Sequence, residues 1–118
     1  MAANELLEGS PLAVSPNQVG AIVLRRYGID GEVAALPGER DRNFLITTPQ
    51  AAFNLKVANP AERTGVLEMQ QLALQHIRNW APEVPIADPV PTTNGDLATM
   101  VSIGDTPVAV RMTTYLPG

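Results

Sequence analysis

The chain has 118 residues, 45% of them hydrophobic, with no cysteine, one histidine and a formal net charge of −4. That length suits a single domain with its own core, and the acidic balance argues against non-specific binding to nucleic-acid phosphates. The missing cysteines exclude disulfide scaffolds, thiolate zinc sites, iron–sulfur clusters and cysteine nucleophiles, and one histidine excludes a histidine-rich metal site. Apolar runs are too short to span a bilayer, and the first five residues lack a basic-then-apolar signal pattern. A cytoplasmic α+β domain with no membrane or nucleic-acid partner is the expectation.

Residues 1–15 read as a lead-in, partly disordered, punctuated by Gly9, Ser10, Pro11 and Ser15. Ser15-Pro16 has the form of an N-cap followed by a first-turn proline. Val19, Ile22, Val23 and Tyr27 then give the stripe of a short amphipathic helix that Gly28 stops. Arg25 and Arg26 sit in its last turn, where the helix dipole favours cations.

From Ile29 the period changes to that of strands. Strands are expected over 32–36, 44–48 and 52–58, with the polar loop Glu39 to Asn43 after Pro37-Gly38. In the third, Phe53, Leu55 and Val57 alternate with Asn54, Lys56 and Ala58, so the two sets point to opposite faces. Asn59-Pro60 opens a long helix to about residue 80. Its apolar face is read as Val66, Met69, Ala73, Ile77 and Trp80 at steps of three and four, which makes Met69 and Trp80 core residues. Four prolines keep 81–93 extended, Asn94-Gly95 marks a turn, and strands follow over 97–103 and 108–115 around Gly104-Asp105. The expected architecture is a five-stranded antiparallel sheet, with one long helix between strands three and four plus an N-terminal helix.

Lys56 is the sole lysine, and it lies mid-strand opposite the apolar face. Such a lysine either faces solvent on a half-exposed sheet or gives a phosphate a fixed positive charge, provided an acid holds it. Glu68, beside Leu72 at the edge of the helix stripe, is the candidate holder; otherwise it is a solvated flank residue. Glu62 is its rival, with a simpler role as a first-turn dipole partner. The 37–43 loop could cover phosphates with backbone N–H groups, Arg40, Arg42 and Asn43, or be a plain charged hairpin tip. It matches neither the Walker pattern nor the dinucleotide fingerprint. His76 reads as a surface or boundary residue, and Arg111 as a sheet-edge ion-pair partner.

In this order the elements resemble the small lobe of a kinase, and within that fold the aminoglycoside phosphotransferase and choline kinase-like superfamily. Five segments carry the resemblance: Tyr27-Gly28-Ile29, Asp41-Arg42-Asn43-Phe44, Phe53-Asn54-Leu55-Lys56-Val57, Val66-Leu67-Glu68-Met69-Gln70 and the run from Val110 to Gly118. The likeness is greatest to the hydroxylysine kinase group. It implies that Lys56 contacts the α- and β-phosphates of ATP and that Glu68 positions it by an ion pair. The loop with Gly38, Arg42 and Asn43 would lie over the triphosphate, and Met112, Thr114 and Tyr115 would form a hinge against adenine. The sparse glycine content of the loop departs from the family pattern.

The same resemblance implies that the catalytic aspartate, the acceptor site and most magnesium ligands belong to a second lobe. The sole histidine is followed by Ile77 and Arg78, so no His-x-Asp catalytic loop is present. Residues 16–118 therefore read as an N-terminal lobe cut from a longer protein, inactive alone, with catalytic and metal-binding residues of its own none. Relatives of this group also occur fused to class III pyridoxal-phosphate aminotransferases. The competing expectation is accordingly a non-catalytic regulatory domain of such an enzyme. A lone lobe also exposes apolar surface, from which self-association is expected.

Overall fold

In the computed structural model, residues 14–37, 42–60 and 62–115 are described. Among them two helices flank one mixed-length antiparallel sheet of six strands: α1 (Pro16–Tyr27), β1 (Glu32–Leu36), β2 (Arg42–Thr47), β3 (Ala52–Val57), α2 (Thr64–Trp80), β4 (Pro89–Val90), β5 (Thr99–Ile103) and β6 (Thr106–Thr114). The strands run β1-β2-β3-β6 across the sheet. Val110 pairs with both Val57 and Thr99, and Met112 with both Leu55 and Val90, so β4 and β5 lie end to end along the far side of β6. β4 falls within the 81–93 segment, which is expected to be extended and non-helical. Proline at its first position is tolerated because this two-residue strand lies on the sheet's edge.

α1 forms as its signals dictate. Ser15 accepts from the Gln18 amide, and the Gln18 side chain accepts from the Ser15 amide, closing a capping box ahead of Pro16. Gly28 ends the helix at φ 67°, a left-handed conformation that glycine adopts without Cβ strain. Its buried stripe, Val19, Val23 and Tyr27, packs on one face of the sheet with Phe44, Ile46, Leu55, Val57, Val108, Val110 and Met112. This is the main core. Val14, just ahead of the helix, is buried in it too.

α2 covers the other face, but not by the stripe read from the sequence. Met69 is 72% exposed and Trp80 78% exposed, and Val66, Ala73 and Ile77 are exposed as well. Leu67 and Gln71 face the sheet instead. The reason lies in the surface they meet: Leu67 closes a small cluster with Ala58, Ala98 and Ala109, whose short side chains let the helix approach closely. α2 is apolar around most of its circumference, so periodicity alone found an apolar face without identifying the buried one. The helix also begins at Thr64 rather than at Pro60, with Arg63 at the N-cap position making no side-chain capping bond, which places Glu62 before the first turn instead of within it.

The proline-rich link after α2 is pinned rather than loose. Arg78 donates from Nε to Asp88 Oδ1 at 2.7 Å, from Nη1 to the Pro82 carbonyl and from Nη2 to the Ile86 carbonyl. All three guanidinium nitrogens thereby gather the link around one planar group.

The Tyr27 hydroxyl is buried without a hydrogen-bond partner among the described residues, and burial pushes its pKa up to about 12. Between pH 10 and 12 the unfolded phenol ionises while the folded one does not, so stability conferred below pH 10 is lost through that window. Relative to Tyr27→Phe, the wild type should lose about 2–3 kcal/mol by pH 12. At pH 7, Tyr27→Phe should be as stable or about 1 kcal/mol more stable, since it removes an orphan hydroxyl. Urea midpoints at both pH values check this.

Candidate functional site

Strand alternation decides which side chains meet. Leu55 and Val57 enter the α1-side core, so Lys56 between them projects to the face on which α2 lies. Directly opposite Lys56 are Asn43 on β2 and Arg111 on β6, and residues opposite one another in an antiparallel ladder share a face. Asn43, Lys56 and Arg111 therefore form a polar row across three central strands, beside α2. Asn54, one step along the same face, is 3.5 Å from Asn43 through a long amide contact.

Not every candidate joins that row. Arg42 pairs with Val57 in the ladder, and its guanidinium lies 6.0 Å from the Phe44 ring on the α1 side of the sheet. Gly38, Arg40 and Asp41 lie outside the described residues. Glu68 follows Leu67 on α2 and is exposed at the border of the sheet-facing side. Arg111 is no sheet-edge residue: β6 has β3 on one side and β4 and β5 on the other. His76 is exposed, with its ring 6.1 Å from that of Trp80.

Sequence reasoning missed the buried link between helix and sheet. Gln71 is fully buried; its Nε2 donates to the Met112 carbonyl at 2.8 Å, and its Oε1 accepts from Arg111 Nη1 at 2.9 Å. One amide thus ties α2 both to the backbone of β6 and to the cation opposite Lys56. The available signal was a glutamine four residues after Leu67, on the same helical side.

The segment 112–115 is firmly held. The Thr114 amide donates to the Asp88 carbonyl, the Tyr115 amide to the Ala52 carbonyl, and the Asp88 amide to Thr114 Oγ1. Met112 and Thr113 are buried. Backbone from both sides therefore fixes the end of β6. Among the described residues, no three acidic or histidine side chains gather to hold a metal ion. A cavity of about 320 Å³ opens elsewhere, between α1 and β5, lined by Gln18, Ile22, Arg25, Arg26, Val101 and Ser102. It lies on the α1 side, away from Lys56. No helix among the described residues is long and apolar enough to cross a membrane.

The sheet order, the covering helix and the lysine-bearing central strand together define the small lobe of a kinase-type fold, and solved structures share it. A microcompartment-associated aminopropanol kinase superposes with a TM-score of 0.68 at 15% identity, over 85% of this chain and 31% of that one. Spectinomycin phosphotransferase APH(9)-Ia, solved with ADP and spectinomycin, gives 0.63 at 12% identity, over 89% and 30%. Amicoumacin kinase hAmiN, in complex with AMP-PNP, Ca2+ and Ami, gives 0.65 at 16%, over 89% and 32%. No family model and no curated protein matches the sequence. The chain has the fold of the N-terminal lobe of aminoglycoside phosphotransferase-like kinases, and it spans about a third of the length of those structures. The strand count is six rather than the five expected.

Replacing Gln71 with Leu keeps the volume but deprives the Met112 carbonyl and Arg111 of a partner. The expected cost is about 2–3 kcal/mol, read from the urea midpoint.

Proposed function

We propose that this chain is the nucleotide-binding lobe of a small-molecule kinase that transfers the γ-phosphoryl of ATP to a hydroxyl of an amino-alcohol or hydroxylated amino acid. One observation carries the reading: Lys56, the sole lysine, projects from a central strand onto the helix-covered face of a kinase small-lobe fold. A half-buried mid-sheet ammonium on the helix-bearing face is suited to hold phosphate charge at a fixed point, where water screens it less.

In this reading Lys56 neutralises the α- and β-phosphates, and Glu68 on α2 aims it. Asn43, opposite Lys56 in the ladder, is assigned to the triphosphate; Gly38 and Arg42 are assigned to the same end by the family resemblance alone. Arg42 shares a face with Phe44, opposite the face that carries Lys56. Met112, Thr114 and Tyr115 line the adenine end. The Thr114 and Tyr115 amides already donate within the protein, so adenine would be met there by carbonyl acceptors and apolar side chains.

Phosphoryl transfer joins the acceptor oxygen to the γ-phosphorus as the bond to the β–γ bridging oxygen breaks, and the hydroxyl proton passes to a base. That base, the acceptor site and most magnesium ligands are proposed to belong to a second lobe, which leaves this chain inactive alone. A cytoplasmic setting is proposed with it. So is a parent of the hydroxylysine kinase type, including one fused to a pyridoxal-phosphate-dependent aminotransferase.

Titrating magnesium–ATP into the chain should shift amide resonances of residues 42–57 and 112–115, weakly and saturably, and Lys56→Met should abolish the shifts. In a two-lobed parent, Lys56→Met should lower kcat/KM by about 10²–10³-fold. No shift in either form would sink the nucleotide reading. A regulatory domain without ATP chemistry would instead keep its partner after the same substitution.

A further inference from the structure

We infer that the outward stripe of α2 is a self-pairing surface, on which a second copy of this chain docks antiparallel about Ala73. The inference stands apart from the nucleotide reading.

At about 100° per residue, Val66, Met69, Ala73, Ile77 and Trp80 fall within an arc of about 80° along the whole helix. All five are exposed, Val66 at 44% and Ile77 at 41%, although four are large apolar residues. The arc contains no charged side chain. Arg78, the nearest cation on the helix, turns inward to Asp88, Pro82 and Ile86. Glu68 lies about 140° around the axis from the centre of the stripe, so pairing through the stripe leaves it uncovered.

The stripe is self-complementary in one orientation only. Antiparallel about Ala73, the smallest residue sits at the crossing point and permits close approach of the two axes. Val66 then meets the partner's Trp80, and Met69 meets the partner's Ile77, so each small or medium side chain faces a larger one. A parallel pairing would stack Trp80 on the partner's Trp80 and leave a gap at Val66. His76 lies at the rim with its ring against Trp80, and a groove of about 490 Å³ runs past it along Met69, Leu72 and Ala73. With 17 residues α2 is about 25 Å long. Two such helices in contact bury on the order of 1,000 Å² in total, the low end for a specific interface. An interface of that size is of the weak, isologous kind.

The chain has no cysteine, which makes the orientation directly readable. Sedimentation equilibrium should show the mass rising from one 12.6 kDa chain toward twice that value and no further. Met69→Glu, at an exposed position, should weaken association at least tenfold with an unchanged circular dichroism spectrum. Under mild oxidation Ala73→Cys should form a covalent dimer rapidly. Val66→Cys should not, because the two sulfurs would sit about 20 Å apart. The double variant Val66→Cys/Trp80→Cys should crosslink again. A single 12.6 kDa species at 500 µM would overturn the inference and leave the stripe to another protein or to more of a longer chain. So would equal crosslinking of the Ala73→Cys and Val66→Cys chains, or assembly beyond two copies.

Discussion

A lysine in the middle of a sheet covered on both faces is the constraint around which this lobe is arranged. The period-two geometry of β3 sends Leu55 and Val57 into the main core and sends Lys56 the other way, to the face on which α2 packs. Lys56 is half-buried, and a partly desolvated cation needs polar neighbours, so the helix-side face is not an ordinary hydrophobic layer. It is instead narrow and mixed: alanines where Leu67 sits, then Asn43, Asn54, Arg111 and buried Gln71 along the polar row.

The two faces of the sheet accordingly do different work. The α1 side carries the bulk of the apolar burial and supplies stability. The α2 side holds few apolar contacts and depends on directional hydrogen bonds, chiefly the two made by Gln71. Arg78 performs a comparable service at the far end, where it ties the proline-rich link to Asp88, and Asp88 is hydrogen-bonded to Thr114 at the end of β6. The end of β6 and the polar row are thus joined mechanically through α2.

Much was legible before any coordinates. Ser15-Pro16 and Gly28 bounded α1, and the alternation around Lys56 assigned its face, because capping and the pleat are local rules. β4 was not legible, since two residues carry no periodicity. The outer stripe of α2 misled for a different reason. Val66, Met69, Ala73, Ile77 and Trp80 satisfy the helical period better than Leu67 and Gln71 do, and nothing local tells a buried apolar face from an exposed one.

By itself, then, the sequence determined the α+β class, the order of the elements and the side of β3 on which its only lysine stands. Those follow from interactions between residues close along the chain. Tertiary structure alone decided which side of α2 is buried, that Arg111 lies in an interior strand, and that Gln71 joins the two. Each of these depends on which surfaces meet: the alanines at 58, 98 and 109, brought together from three separate parts of the chain, admit Leu67 and exclude the bulkier stripe.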